Sequence, residues 1–162
     1  MKHKVGVDIN NKQKDRAVAV MLSREGGGNM KLILDSEKCT GCKLCELACS
    51  AKHQGVFNPK KAHLKIIDQY TETGRETRLK SCTLCLKCVE TCPVEAITFN
   101  GKWLVIDDGL CTGCGDCVDV CPEGVVFLNS EGTAAIPNFC EGNPYCVEWC
   151  PHEAIHKEED VA

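Results

Sequence analysis

Eight cysteines between Cys82 and Cys121 fall into two runs of one spacing, Cys82-x-x-Cys85-x-x-Cys88-x-x-x-Cys92-Pro93 and Cys111-x-x-Cys114-x-x-Cys117-x-x-x-Cys121-Pro122. Thiolates are soft ligands, and soft ligands select zinc, copper(I) or iron–sulfur clusters over hard cations. The spacing selects further. Three cysteines set two residues apart occupy one tight loop that wraps a 4Fe-4S cube, while the fourth, a helix turn later, reaches the neighbouring cluster. The two runs therefore exchange their fourth ligands: Cys82, Cys85, Cys88 and Cys121 are expected on one cluster, and Cys111, Cys114, Cys117 and Cys92 on a second. Zinc explains Cys-x-x-Cys pairs, but it predicts separated pairs rather than three cysteines followed by a fourth and a proline. A zinc-stabilised structural or interaction module is the alternative of another class.

The elements that must position these ligands are short. Proline after each fourth cysteine has no N–H and disfavours helix in the residue before it, so each run predicts one brief helix and a sharp exit. Trp103 to Ile106 and Val125 to Leu128 read as short strands flanking the third run. Upstream, Lys31 to Asp35 reads as a strand feeding an earlier run, Cys39-x-x-Cys42-x-x-Cys45-x-x-x-Cys49, which has Ser50 where the others have proline. Without that stop the helix is expected to continue past Cys49 and Ala51 toward His53 and to end at Gly55. Asn58-Pro59 is a turn, Leu64 to Asp68 a strand, Tyr70 to Thr77 a polar loop around Gly74, and Arg78 to Ser81 the approach to the second run.

A fourth run is incomplete. Cys146-Val147-Glu148-Trp149-Cys150-Pro151 repeats the usual ending, and Cys140 precedes it by six residues. A missing cysteine is expected at Asn143 on the simple spacing, or at Pro137 if the run opens with a pair and a longer gap. Four near-copies of one unit mark an internal duplication. The middle runs pair, so the outer two pair across them, which places Cys39, Cys42, Cys45 and Cys150 on a third cluster. Cys49, Cys140 and Cys146 are left over. With three thiolates they suit a 3Fe-4S cluster, a 4Fe-4S cluster with one non-cysteine ligand, or zinc completed by His53; the position is otherwise vacant. The expectation is three 4Fe-4S clusters and a fourth position that is vacant or differently filled.

The fold expected is α+β, with two nested bacterial ferredoxin-like modules: an outer one from residues 30–70 plus 134–157, and an inner one from 80–129. Residues 1–29 form a polar, basic extension without cysteine, and 158–162 an acidic, solvated tail. Fifteen cysteines in 162 residues offset the small core that so short a chain can bury. A disulfide scaffold gives no reason for the repeated spacings. The net charge of −4 becomes more negative once clusters are counted, each oxidised cube with four thiolates carrying roughly −2. Such a chain is a poor nucleic-acid binder. No apolar run approaches the roughly 20 residues of a membrane span, and no export signal is evident near Ala17 to Leu22, so a cytoplasmic location is expected. Trp103 and Trp149 are expected to shield clusters, and His152 and His156 to lie at the surface. No phosphate loop or nucleophile–base pair is present, so the chain is not expected to be catalytic alone.

Cys39-Thr40-Gly41-Cys42-Lys43-Leu44-Cys45-Glu46-Leu47-Ala48-Cys49-Ser50, followed by Lys52-His53-Gln54-Gly55-Val56-Phe57-Asn58-Pro59, resembles the multicluster ferredoxin-like electron-transfer subunits of tungsten enzymes in the aldehyde ferredoxin oxidoreductase family. These include the small iron–sulfur partner of tungsten-dependent class II benzoyl-CoA reductase. The resemblance extends from Met30 to about Lys157. It implies a large tungsten–pterin catalytic subunit as partner, and a further redox protein at the other end of the path. Family members carry four 4Fe-4S clusters and open the last run with a Cys-x-x-Cys pair; this sequence departs from that pattern at Pro137 and in the tighter spacing of its second run.

Overall fold

A computed structural model describes residues 30–159; the basic extension and residues 160–162 of the acidic tail lie outside the described residues. The first strand, β1 (Met30–Leu34), buries Met30 and half-buries Leu32 and Leu34 while Lys31 and Ile33 face out, the period of two that a one-sided strand requires. It pairs antiparallel with the last strand, β8 (Ile155–Glu159), from Met30 opposite Glu159 to Leu34 opposite Ile155. Asp35 N–H continues the pairing to the Ala154 carbonyl at 2.8 Å. The outer ends of the described chain therefore close on each other around everything between them. Glu158 and Glu159, the first residues of the expected acidic tail, belong to this strand, and Glu158 is exposed.

Between them come α1 (Leu44–Gln54), β2 (Leu64–Thr71), β3 (Gly74–Ser81), α2 (Lys87–Thr91), β4 (Ile97–Phe99), β5 (Leu104–Ile106), α3 (Asp116–Asp119), β6 (Phe127–Leu128), β7 (Ala134–Ala135) and α4 (Tyr145–Glu148). Strands pair β2 with β3, β4 with β5 and β6 with β7, each pair antiparallel. The architecture is α+β and ferredoxin-like. Helices of four or five residues have too few hydrogen bonds to persist by propensity, so α2, α3 and α4 depend on packing and on what their cysteines hold.

The β2–β3 hairpin corrects the expected polar loop at Tyr70 to Thr77. Pairing runs without a break from Leu64 opposite Ser81 to Thr71 opposite Gly74, leaving Glu72-Thr73 as the connection. The hydroxyl of Thr71 donates to the Gly74 carbonyl at 2.9 Å. Only the base of the hairpin is buried, at Leu64 and Ile66; beyond it both faces meet solvent, so the sequence lacks the alternation that marks a half-buried strand. Register is held instead by polar cross-strand contacts, Asp68 accepting from Arg75 Nε at 2.8 Å and from the Thr77 hydroxyl at 3.2 Å.

Two apolar clusters form the core. One gathers Leu84, Leu86, Ile97, Leu104 and Val126 around the middle runs and takes in Met30, Ile136 and Phe139 from the outer segments. The other packs Ala62, Leu64, Ile66 and Ile155 against Cys45, Cys49 and Cys146. Trp103 lies half-buried against the first apolar cluster, whereas Trp149 is 50% exposed and shields little. His152 and His156 are exposed.

Candidate metal centres

Each complete cysteine run is an alternation of backbone conformations. The residues two and four places after the first cysteine have positive φ: Gly41 and Lys43, Leu84 and Leu86, Gly113 and Gly115. Residues that alternate in this way turn successive N–H groups toward one concavity, a backbone nest suited to an anion. Glycine is required where a neighbour approaches closely. A Cβ at Gly113 would overlap the Gly132 carbonyl oxygen, a backbone atom.

The loops bring twelve cysteines together in three groups. Cys82, Cys85, Cys88 and Cys121 line one cavity of about 340 Å³, with Leu86, Leu104 and Val126 behind them. Cys92, Cys111, Cys114 and Cys117 line a second of about 300 Å³, and Cys39, Cys42, Cys45 and Cys150 a third of similar size, against Ile66 and Ile155. Cys92 and Cys121 each line the cavity of the other run, and Cys150 closes the cavity of the first. All fifteen cysteines are free, so no disulfide competes for these thiols.

The donor set fits an anionic iron–sulfur cluster. Four thiols face each cavity, and each cavity carries a backbone N–H aimed at one of its sulfurs: Leu84 N to Cys82 Sγ at 3.4 Å, Ala134 N to Cys111 Sγ at 3.4 Å, and Ala154 N to Cys150 Sγ at 3.3 Å. Such bonds to ligand sulfur are among the protein's levers on cluster potential. Burial pushes the Cys45 thiol up to about 12, with the Glu46 carboxylate adding to it. Burial likewise raises Cys88 to about 12 and Cys82 to about 11, reinforced by neighbouring cysteines. Crowded thiolates need a counter-charge, which bound metal supplies, so metal binding releases their protons.

Among the leftover residues, Cys49 and Cys146 are buried on α1 and α4, and His53 Nε2 lies 3.2 Å from Cys140 Sγ. Pro137 is buried and Asn143 is exposed. Two further residues belong to this region and were not legible as such. His63 is buried, donates through Nδ1 to the Val125 carbonyl at 3.0 Å, stacks on Phe127 and sends its backbone N–H to Cys49 Sγ at 3.3 Å. Its imidazole is driven down to about 4 by burial, which keeps it neutral. Glu46, buried on α1, accepts from Ile66 N at 2.7 Å and fixes the first run against β2. The only sequence signal for either is a polar residue set among apolar neighbours, as with His63 between Ala62 and Leu64.

Comparison with known proteins agrees with this chemistry. Residues 35–96 and 81–125 each match a 4Fe-4S dicluster domain. The polyferredoxin-like subunit of aliphatic sulfonate oxidoreductase from Pyrococcus furiosus is 32% identical over 83 residues, 50% of this chain and 46% of that protein. NADH-quinone oxidoreductase subunit I 2 of Geobacter metallireducens is 32% identical over 75 residues, 46% of this chain and 53% of that protein. The chain thus spans about half the length of the curated relatives it matches. Among solved structures, the BamBC active-site complex of benzoyl coenzyme A reductase with benzoyl-CoA aligns at a TM-score of 0.45 and 21% identity, covering 82% of this chain and 80% of that one. The complex with 1,5 dienoyl-CoA gives 0.44 and 21%, covering 82% and 77%. Two 4Fe-4S dicluster domain matches thus follow one another from residue 35 to residue 125, and the fold is ferredoxin-like.

Proposed function

We propose that this chain is the electron-transfer subunit of an oxidoreductase complex, with three 4Fe-4S clusters on the three groups of four cysteines. The observation that carries the reading is the exchange of fourth ligands: Cys92, Cys121 and Cys150 each line a cavity built by another run. Such crossing holds neighbouring clusters at a fixed separation, which one-electron transfer between them requires. A bound cube supplies one-electron redox chemistry; the chain supplies spacing, burial and N–H donors. Cys42 and Cys114 are exposed while Cys85 is half-buried, so electrons enter and leave through the cavities of the first and third runs. On this reading the outer module covers residues 30–70 plus 134–157 and the inner one 80–129. The role we propose for the chain is electron transfer, with catalysis left to its partner.

The partner we propose is a large tungsten–pterin subunit of the aldehyde ferredoxin oxidoreductase family, of the benzoyl-CoA reductase type, with a further redox protein at the far end. Support comes from the motif running from Cys39 to Pro59 and from the relative named as a polyferredoxin-like oxidoreductase subunit. Anaerobic purification of the complex tests it. Cys114→Ser is expected to cut electron flow between donor and catalytic subunit at least tenfold; flow at the normal rate sinks the wire, and activity with aldehydes but not with dienoyl-CoA sinks the choice of partner.

A further inference from the structure

The first and third runs each expose one cysteine, Cys42 and Cys114, and they do so on the same backbone. In both, an aspartate upstream accepts the N–H of the first cysteine through its main-chain carbonyl, Asp35 from Cys39 and Asp107 from Cys111, each at 3.1 Å. Thr-Gly then fills the gap to the second cysteine. What differs is the charge placed on that frame. Position by position, Ser36 becomes Asp108, Lys38 becomes Leu110, Lys43 becomes Gly115 and Leu44 becomes Asp116.

Around the first loop the charges offset one another. Lys38 Nζ lies 3.5 Å from Asp35 Oδ2, Arg75 is paired with Asp68, and the exposed Glu37 and Lys43 are of opposite sign. Around the third loop they are of one sign. Asp107, Asp108, Asp116 and Asp119 are exposed, and among the described residues none of the four is in an ion pair. From Trp103 to His156 the chain has nine carboxylates and no lysine or arginine to offset them. The turn that carries the exposed Glu131 lies against this loop, its Gly132 carbonyl occupying the space a Cβ on Gly113 would need. In the middle are apolar side chains: Leu110, directly before Cys111, is 53% exposed, and Leu128, which lines the cavity, is 40% exposed. An apolar centre lets a partner approach closely, and a charged rim steers it there.

We propose that the surface over the third run's cavity, centred on Cys114 and Leu110, is the docking face for a redox protein whose own centre is ringed by lysine or arginine. The proposal rests on the iron–sulfur reading above and assigns one partner to one of its two exits. Charge complementarity selects that partner, because four unpaired carboxylates beside an anionic cluster repel an acidic surface and attract a basic one. Reduction adds a further negative charge to the cluster, so the electron-loaded form attracts such a partner most strongly. One electron then leaves the cluster and reduces the partner's centre, and the attraction weakens as it leaves. The first loop, whose charges cancel, makes no such selection.

The test uses the full chain purified without oxygen, reduced, freed of excess reductant and mixed by stopped flow with cytochrome c, a basic redox protein with lysines around its exposed haem edge. The second-order rate of electron transfer is expected to fall at least about tenfold between about 10 mM and about 300 mM salt, as the steering charges are screened. Asp108→Asn combined with Asp116→Asn is expected to lower the low-salt rate about fivefold or more with iron content unchanged. Lys38→Gln combined with Lys43→Gln, the same number of charges removed at the first loop, is expected not to lower it. A salt-independent rate in the parent chain overturns the proposal, and so does a fall no larger for the third-loop variant than for the first-loop one; the carboxylates then only keep the surface solvated. Where the third-loop variant loses iron, carbodiimide cross-linking of the parent chain to cytochrome c decides instead. Links at Asp107 to Asp119 are expected, and links that avoid this segment overturn the proposal. A parent chain that binds no iron overturns the iron–sulfur reading beneath it, whatever the cross-links show.

Discussion

The first run of the outer half and the two runs of the inner half use the same cysteine spacing and differ in the residue placed directly after the last cysteine. In the middle runs Pro93 and Pro122 stop the helix, leaving α2 at five residues and α3 at four, with β4, β5 and β6 no longer than three. In the first run Ser50 lets α1 reach eleven residues, and the chain then builds an eight-on-eight hairpin. The inner module thus depends on its cofactors for its shape, whereas the first half of the outer module has regular structure of its own. The residue after the last cysteine decides whether the helix merely delivers a fourth cysteine or also carries a histidine one turn further.

The largest effect expected from this difference comes with removal of iron. Chelation under reducing conditions returns buried thiols such as Cys82 and Cys88 to the protonated form, since burial holds both well above the ordinary thiol range. Helices α2 and α3 then keep only their packing, too little to hold helices of four or five residues, and amide hydrogen exchange is expected to lose most protection across residues 82–128. Amides of the β2–β3 hairpin retain measurable protection. Equal loss in both regions would show that the hairpin also depends on the clusters and would remove the distinction.

Next in size is Ser50→Pro, which gives the first run the ending of the middle two. Proline in the seventh position of α1 removes a helix hydrogen bond and clashes with the preceding turn, at about 3 kcal/mol or more. It also leaves Asn58 N without the Ser50 hydroxyl. Denaturation monitored at the outer module is expected to show that loss, with the inner cavities unchanged. A variant as stable as the parent would mean that the helix beyond Cys49 contributes nothing.

The two halves were also unequally legible. Cys82 to Cys121 could be read as two runs of one unit, because repeated spacing and a following proline are local signals. The continuation of α1 past Ser50 was legible for the same reason, by the absence of the stop. The hairpin was not, because Gln69, Tyr70, Glu76 and Arg78 have no buried face to impose a period, and its register depends on the side-chain contacts of Asp68. The place of His63 was hidden for another reason: its partners, Cys49, Val125 and Phe127, come from distant parts of the chain. No window of sequence contains them together.

The smallest effect concerns a charge that only the outer half has. Arg75 donates through Nη1 to the Cys39 carbonyl at 3.0 Å and through Nε to Asp68, whose carboxyl it holds below the ordinary range by that hydrogen bond. The pair is close to neutral as it stands. Arg75→Gln leaves the Asp68 carboxylate without its guanidinium partner beside the Cys39 loop, and reduction adds a further negative charge to that cluster, so its potential is expected to fall slightly. The inner clusters should not move, because exposed charges are screened within a Debye length of about 8–10 Å. Redox titration followed by EPR measures this, and the shift should shrink as salt is raised. Adding Asp68→Asn to Arg75→Gln separates charge from position. If charge alone acts, the double variant returns to the parent potential; if the bond to the Cys39 carbonyl matters more, the double variant remains as displaced as the single one, and the outer cluster is tuned by how its loop is held.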